Sequence, residues 1–423
     1  MTTTEFRERA SETIPATEPG AASDVEIARC AADVVSVPRS SPADSFVLHA
    51  PLELLARTGL LPFVDPAFRE EARRRIAGIA TAFAAVGEPV APPATIDPSS
   101  VDEAAARLTE AITRGDLDDV DAAAAWLGEH VRPADLPRLL GDALVPLLGA
   151  AGHAPIFLWL HPRVAPRREV TASLLRPLCR ELARRPEWRL HWIDEPRPHC
   201  DDTPVTAASL AEALAATPLL GRPASTFIHP LMSRIDSADL AGTLGTLCGG
   251  SSVGHRARAL LRVAAWSMLD EPGDEAPYGW SHCLTMPQAV VGVADGCADP
   301  SRALAVAASH VYGFRASLAT RHLDVSRADS WTADARMPIA DALAAGPETA
   351  RAVAWQLPTG RFDALRTAVA TTAAVHHDAH LAKYVLACLD GAGADPAAER
   401  LFLAAAATLC GWWASHPDGI EIG

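Results

Sequence analysis

Apolar positions recur at helical spacing along most of the chain, and many of them are alanine or leucine. Alanine has the highest helix propensity of the amino acids, and leucine is close behind it. The pattern predicts helices at 66–86, 101–114, 117–129, 134–150, 206–216, 232–247, 256–270, 286–296, 300–323, 361–390 and 396–414. Another helix is expected to begin near Pro51, because proline is favoured at the first helical position.

Strand-like runs are few and short, and they lie at 33–37, 156–160 and 190–193. The sequence has no glycine-rich turn of the dinucleotide-binding or phosphate-loop type. We therefore predict a mainly α fold with few short strands. It would form a single large helical domain or two closely packed helical subdomains.

Two segments lack the helical pattern. Residues 1–43 are rich in Thr, Ser, Pro and Ala, and we predict a mobile N-terminal leader there. The helical domain would then occupy 44–423. Within it, the proline-rich stretch at 88–98 predicts a linker.

Composition and charge exclude several classes of protein. The 37 Lys and Arg residues against 52 Asp and Glu residues give a formal net charge of −15. This argues against a nucleic-acid partner, because phosphate binding needs clustered positive charge. No apolar stretch reaches the about 18 uncharged residues of a membrane helix. Eight cysteines without a CxxC pair favour a reducing cytoplasm. The oligomeric state stays open, and a homodimer is one assembly that the sequence allows.

The densest group of histidines lies between Val375 and Tyr384. On one continuous helix, His376, His380 and Lys383 would project from the same face. Two imidazoles one turn apart can share a metal ion, as in HExxH metalloproteases, although the glutamate of that motif is absent here. The alternative is a pair of structural histidines beside a surface lysine.

Lys383 adds a second kind of chemistry to this face. Burial would lower the pKa of its amine, and the neutral amine could act as a nucleophile or a base. The amine can also react with carbon dioxide to form a carbamate, which presents an anionic oxygen to a metal. Two histidines and this carbamate would match the two-histidine, one-carboxylate set that favours non-haem iron(II).

Three further histidines stand in apolar sequence and are candidate ligands. They are His49, His153 and His282. Each alone also fits a packed core histidine, and their number in one chain is what favours a site.

Other motifs carry weaker signals. The stretch 250–254 is a formal GxSxG match, but the residues before Ser252 follow a helical rather than a strand pattern. Cys283 adjoins His282 in the sequence, and adjacent residues rarely point at one substrate atom. The histidines and aspartates of 191–202 are interrupted by prolines, which favours an exposed loop over a metal site.

Four blocks of the sequence together resemble the questin oxidase-like family. They run in order from about residue 45 to 390 and are His49 before an apolar helix, Gly152-His153-Ala-Pro-Ile, Ser281-His282-Cys-Leu-Thr, and His376 with His380-Leu-Ala-Lys383. Members of that family are oxygenases of aromatic polyketide biosynthesis that cleave a carbon–carbon bond in an anthraquinone-like ring. The resemblance implies Fe(II), dioxygen as co-substrate, a carbon dioxide-derived carbamate and a small aromatic substrate.

The resemblance also implies roles for single residues. The metal ligands would be His49, His282, His376, His380 and carboxylated Lys383. His153 would be a pocket residue or would replace one of these ligands.

The oxygenase chemistry needs an apolar pocket and an acid or base. The expected pocket walls are Phe46, Trp159, Trp280 and Met286. Tyr278 or His377 would act as the acid or base.

Other function classes remain open on the sequence alone. A metallohydrolase with a carbamylated lysine usually carries a His-x-His strand in a β/α barrel, and neither pattern is present in the sequence. A helical binding or scaffold protein would hold no metal and would expose Lys383. A flavin- or nicotinamide-dependent oxygenase is disfavoured by the missing dinucleotide fingerprint.

Overall fold

The computed structural model describes residues 23–40, 45–164, 174–194, 207–236, 253–334 and 336–418. These residues are mainly helical, and the β-pairing among them consists of isolated bridges between Arg39 and Pro89 and between Leu147 and Arg189. The predicted mainly α fold is confirmed. The same residues include no helix long and apolar enough to cross a membrane.

The three predicted strands are wrong. Residues 33–35 end a helix, 156–160 lie inside another, and 191–194 form a 3-10 turn. Short apolar runs do not distinguish a strand from a buried helical segment, and the surrounding packing decides between them.

The chain divides into two compact units. The first contains the described residues up to Arg189 together with Gly296–Ala298, and the second contains Leu190–Asp295 and the residues from Asp299 onward. The proline-rich stretch 88–98 connects two helices of the first unit.

The first unit contains helices α1 to α8. They are α1 Asp24–Val35, α2 Ser45–Leu60, α3 Arg69–Ala84, α4 Val101–Arg114, α5 Leu117–His130, α6 Leu136–Leu144, α7 Ala154–Val164 and α8 Leu175–Ala183. The predicted bounds of α4 hold because local signals set them. Ser100 caps its N-terminus, and Gly115 ends it in the left-handed conformation at φ 69°.

Helix α1 lies inside the segment predicted as a mobile leader, so for residues 24–35 that prediction is wrong. Ser23 and Glu26 form a reciprocal capping box at its start. Asp24 forms ion pairs with Arg69 and Arg73 of α3, and this tertiary contact is invisible in the local pattern.

Helix α2 begins at Ser45 rather than near Pro51, which lies inside it. His49 is therefore a helical residue and does not precede the helix. Because α2 packs against α7, it brings His49 towards the start of that helix, which His153 directly precedes.

The second unit contains helices α9 to α18. They are α9 Ala207–Ala215, α10 Ile228–Asp236, α11 Val253–Asp270, α12 Ser281–Val293, α13 Pro300–Leu318, α14 Ile339–Ala344, α15 Pro347–Gln356, α16 Phe362–Val375, α17 Ala379–Ala394 and α18 Glu399–Ser415. The single helix predicted at 361–390 is wrong, because α16 and α17 are separate. Helix α12 packs against α11, α13 and α17 through buried alanine, leucine and valine side chains.

Candidate metal centre

A π-helical turn at Ala276–Trp280 leads directly into α12. Such turns are rare and frequently occur at functional sites. Gly279 allows the turn to pack closely, because a Cβ there would lie 2.5 Å from Cδ1 of Leu318. The turn places the backbone carbonyl of Tyr278 against the ring of His282, whose Nδ1–H donates to it. This bond fixes the tautomer and leaves the lone pair on Nε2, as in metal-binding histidines.

The break between α16 and α17 positions His380. The Asp378 side chain accepts hydrogen bonds from the backbone N–H groups of His380 (2.7 Å) and Leu381 (3.1 Å) and so caps α17. The same carboxylate lies 3.5 Å from Nδ1 of His380. Asp378 therefore fixes the first turn of α17, and this fixes the position of His380.

The rings of His282 and His380 face each other inside the second unit. Their centroids are 4.9 Å apart and their planes are nearly perpendicular, at 83°. One ring nitrogen of each lies within 4.8 Å of the other. The Tyr278 ring contacts His380 edge-on at 4.6 Å, and Phe314 of α13 lies parallel to His282 at 6.4 Å.

Lys383 follows His380 by one turn of α17 and is only 3% exposed. Burial lowers the pKa of His282 well below its ordinary value, and so do the positive charges of Lys383 and His380. Burial and Lys383 lower the pKa of His380 in the same way. Both imidazoles are therefore neutral at neutral pH, which is the form that binds metals.

Lys383 is also the only lysine of the chain, although 37 residues are Lys or Arg. The sequence alone carries this signal, because a single lysine can be counted without a structure. Arginine is always protonated, whereas lysine shifts its pKa readily when it is buried. The chain thus uses arginine at all its other Lys or Arg positions and places its one lysine in the core.

His376 does not share a helical face with His380 and Lys383, so that prediction is wrong. It follows the last residue of α16, and its Nδ1 accepts a hydrogen bond from the backbone N–H of Asp378 at 3.1 Å. Its ring packs on His377 at 4.2 Å and on Trp413 at 4.8 Å. Because of the helix break, His376 lies in a second cluster of rings, together with His377 and Trp413. His377 is exposed in this cluster.

The other predicted site residues of the second unit lie near the π turn. Trp280 and Met286 are fully buried, and Met286 is one turn after His282 on α12. Tyr278 is half-buried, and burial together with the negative charge of Asp378 raises its pKa to about 12. Burial also raises the pKa of the Cys283 thiol to about 12, which argues against a thiolate nucleophile.

The first unit brings together two other predicted residues. His49 and His153 are buried, and their rings meet edge-on with centroids 4.6 Å apart. Phe46 is half-buried on α2, three residues before His49. Trp159 is half-buried on α7, and the guanidinium of Arg163 lies over its ring at 4.6 Å.

Two weaker motifs lie largely outside the described residues. Gly250, Ser251 and Ser252 of the GxSxG match are outside them, and α11 begins at Val253. Most of the loop 191–202 is outside them as well.

The sequence and fold were compared with protein-family models, curated proteins and solved structures, and nothing matched.

Proposed function

We propose that the chain is a non-haem iron-dependent oxygenase of the questin oxidase-like kind, acting on a small aromatic substrate. One observation carries the proposal: the only lysine of the chain is buried beside two neutral imidazoles on neighbouring helices. A buried ammonium there would be costly, and its charge would oppose protonation of both rings. Reaction with carbon dioxide removes that charge and creates an anionic oxygen donor.

The donor set fits iron(II). His282, His380 and the carbamate of Lys383 would give two imidazoles and one carboxylate-like oxygen, the combination typical of non-haem iron oxygenases. The assignment of His49 as a metal ligand stays a prediction from the sequence. His376 is not part of the donor set, because its ring packs on His377 and Trp413. When bound, the iron would activate dioxygen for oxygen insertion beside a carbonyl or for ring cleavage, and a phenolic or hydroquinone substrate would supply the electrons.

The other residues of the second unit would orient and protect the reaction. Tyr278 keeps its proton at neutral pH because its pKa is about 12, so it can donate a hydrogen bond or a proton to an oxygen of the substrate. The apolar side chains of Trp280, Met286 and Phe314 would hold a flat ring and exclude water.

The metal content of the purified protein tests the proposal. We expect about one iron per chain for a mononuclear site, and loss of that iron in His282→Ala, His380→Ala and Lys383→Ala. Lys383→Arg should also lose it, because arginine keeps the charge but does not form the carbamate. The exposed His130→Ala on α5 is the matched histidine control and should retain iron.

The lone lysine makes the carbamate directly visible. Protein incubated with ¹³C-bicarbonate should show a carbamate carbon signal by NMR that is missing from Lys383→Arg, in which the α-amino group is the one amine that could still form a carbamate. Zinc in place of iron would turn the proposal towards a metallohydrolase. Protein that stays metal-free after addition of iron(II) and bicarbonate would refute it in favour of a metal-free binding protein.

A further inference from the structure

A buried layer of the second unit lies one helical turn away from the ring of His282. Helices α12 and α13 pack against each other and run antiparallel, so that His282 near the start of α12 faces Phe314 near the end of α13, with ring centroids 6.4 Å apart. Residues three and four apart on a helix are neighbours on its surface. Thr285 and Met286 therefore follow His282 on the same side of α12, and His310 precedes Phe314 on the same side of α13. The next layer between the two helices is thus formed by Thr285, Met286 and His310.

Two polar side chains of this layer are left without a hydrogen bond. His310 is 1% exposed, and both of its ring nitrogens are unpartnered within the described part of the chain. The hydroxyl of Thr285, which is 5% exposed, is unpartnered there as well. Other buried hydroxyls of the unit differ, since Ser309 and Thr408 donate to backbone carbonyls one turn earlier at 2.9 Å and 2.8 Å. Buried polar groups without a partner are costly and uncommon in native proteins, so the two in this layer need an explanation.

The apolar side chains beside His310 are methionines. Met286 is fully buried on α12. On α10, Met232 packs on Gly313, the residue three positions after His310, where a Cβ would lie 2.7 Å from the methionine sulfur. Two of the five methionines of the chain therefore flank one imidazole. Because methionine is unbranched and has three rotatable bonds, these side chains can change rotamer and admit the edge of a flat ring.

The polar groups of the layer indicate which substituent would bind there. Burial lowers the pKa of His310 to about 4, so its imidazole is neutral at pH 7 and offers one N–H donor and one acceptor nitrogen. The Thr285 hydroxyl can donate as well as accept. A phenolic hydroxyl also donates and accepts, and it can therefore bond to both side chains. A carboxylate or a phosphate would find no positive charge on either of them.

We propose that His310 and Thr285 bind a phenolic hydroxyl group of the aromatic substrate. The layer lies one turn, about 5.4 Å, from the level of His282. The hydroxyl would therefore be remote from the reacting carbon, and the substrate class would be hydroxylated aromatic compounds with fused rings. The inference rests on the proposed function, because it takes the ligand to be the substrate of that oxygenase.

Binding of two matched probes to the iron-free protein tests the inference. 2-Naphthol and naphthalene differ in a single hydroxyl group, and equilibrium dialysis measures both dissociation constants. The wild type should bind 2-naphthol about five- to ten-fold more tightly than naphthalene, which is the contribution of one buried hydrogen bond. His310→Leu should lose this preference and retain its affinity for naphthalene. Thr285→Val, which keeps the shape of the side chain, should also reduce the preference, and it tests the inference if His310→Leu does not fold.

Two matched controls remove buried hydroxyls that already have partners. Ser309→Ala, next to His310 on α13, and Thr408→Val on α18 should both keep the preference of the wild type for 2-naphthol. Loss of the preference in these controls would assign it to helix packing and overturn the inference.

The inference is also overturned if the wild type binds both probes equally or binds neither, or if the preference survives in His310→Leu and in Thr285→Val. The measurement needs no iron, so its outcome is separate from that of the proposed function. A protein that prefers 2-naphthol as expected but takes up no iron refutes the oxygenase and supports the hydroxyl-binding layer.

Discussion

Lysine and arginine differ in one property that matters at position 383. Both are cationic in water, but only the lysine amine becomes neutral when it is buried and so becomes able to react with carbon dioxide. Lys383 is 3% exposed, and in its protonated form its charge lowers the pKa of both His282 and His380. A single side chain thus connects the composition of the chain with the chemistry proposed for it.

His310 illustrates the cost of a buried polar residue in the same unit. It is 1% exposed on α13, and neither ring nitrogen has a hydrogen-bond partner in the part of the chain that the structure describes. Burial lowers its pKa to about 4. Between pH 6.5 and about 4 the folded protein therefore keeps this imidazole neutral, whereas in the unfolded chain, with a pKa near 6.5, the imidazole is protonated.

We predict that His310→Leu makes the protein more stable and less sensitive to acid. At pH 7 the gain should be about 1–3 kcal/mol, because the substitution removes an unsatisfied polar group. As the pH falls from 6.5 to about 4, the free energy of unfolding of the wild type should decrease by on the order of 3 kcal/mol more than that of the variant. The reason is that His310 binds a proton in this range only when the wild type is unfolded. Urea unfolding at several pH values measures this difference.

A parallel series with the exposed His322→Leu on the same protein is the control, and its pH dependence should follow the wild type. A constant difference between the wild type and His310→Leu across this pH range would contradict the prediction.

The turn before His153, in which Ala150, Ala151 and Gly152 have positive φ angles of 49°, 54° and 69°, gives a second prediction at this scale. Ala151→Gly should stabilise the protein by about 0.5–1 kcal/mol, because the relief of a left-handed alanine exceeds the extra flexibility of glycine in the unfolded chain. Ala106→Gly in the exposed middle of α4 should cost about 1 kcal/mol instead. Thermal unfolding of the two variants should move in opposite directions, and a loss of stability in both would show that the turn is unstrained.

The break between α16 and α17 shows how a helix end can build a site. Asp378 satisfies the first N–H groups of α17, and this fixes the rotation at which His380 enters the core. A continuous helix through 376–383 would have kept His376 on that face. The capping side chain therefore selects which of the two histidines faces His282.

We predict that Asp378→Ala lowers the free energy of unfolding by about 1 kcal/mol and also weakens metal binding. Asp378→Asn should retain most of the cap, since asparagine is an equally good N-cap residue. Asp299→Ala, which removes the N-cap of α13, should cost a similar amount of stability and leave the metal content unchanged. Equal metal content in the Asp378→Ala and Asp299→Ala variants would refute a role for the cap in the site.

Local signals made many elements predictable, and tertiary contacts decided the rest. Helix α4 was predicted with its observed bounds because Ser100 and Gly115 mark its ends. Helix α1 was missed although Ser23 and Glu26 form a local capping signal at its start, and its ion pairs to α3 are formed across the sequence. Of the candidate site, the segment that carries His380 and Lys383 was predictable. The ring contacts of His282 with His380 and of His49 with His153 depend on helix packing that no local pattern encodes.

At the scale of the whole molecule, the distribution of amines is unusual and easily tested. We predict that acetic anhydride modifies the native protein at its α-amino group and leaves Lys383 unmodified, because Lys383 is the only lysine and is buried. Peptide mass mapping before and after unfolding in urea measures this, and Lys383 should react in the unfolded chain. Modification of Lys383 in the native protein as fast as in the unfolded chain would contradict its burial.

The two units are not continuous along the chain. Gly296–Ala298 belongs to the first unit, although residues on both sides of it belong to the second. Cys297 packs closely on Gly141, because a Cβ at position 141 would lie 2.9 Å from Sγ of Cys297. The Asp142 side chain also accepts a hydrogen bond from the backbone N–H of Ala298 at 3.0 Å.

This arrangement sets an order of events during synthesis. Domains generally fold as their chain leaves the ribosome, from the N-terminus onward. The first unit cannot close its contacts around α6 when Arg189 emerges, because the residues that complete them are translated only at 296–298. Its final packing therefore waits until Leu190–Asp295, a little under half of the second unit, has been made, so the first unit is not complete before synthesis of the second begins.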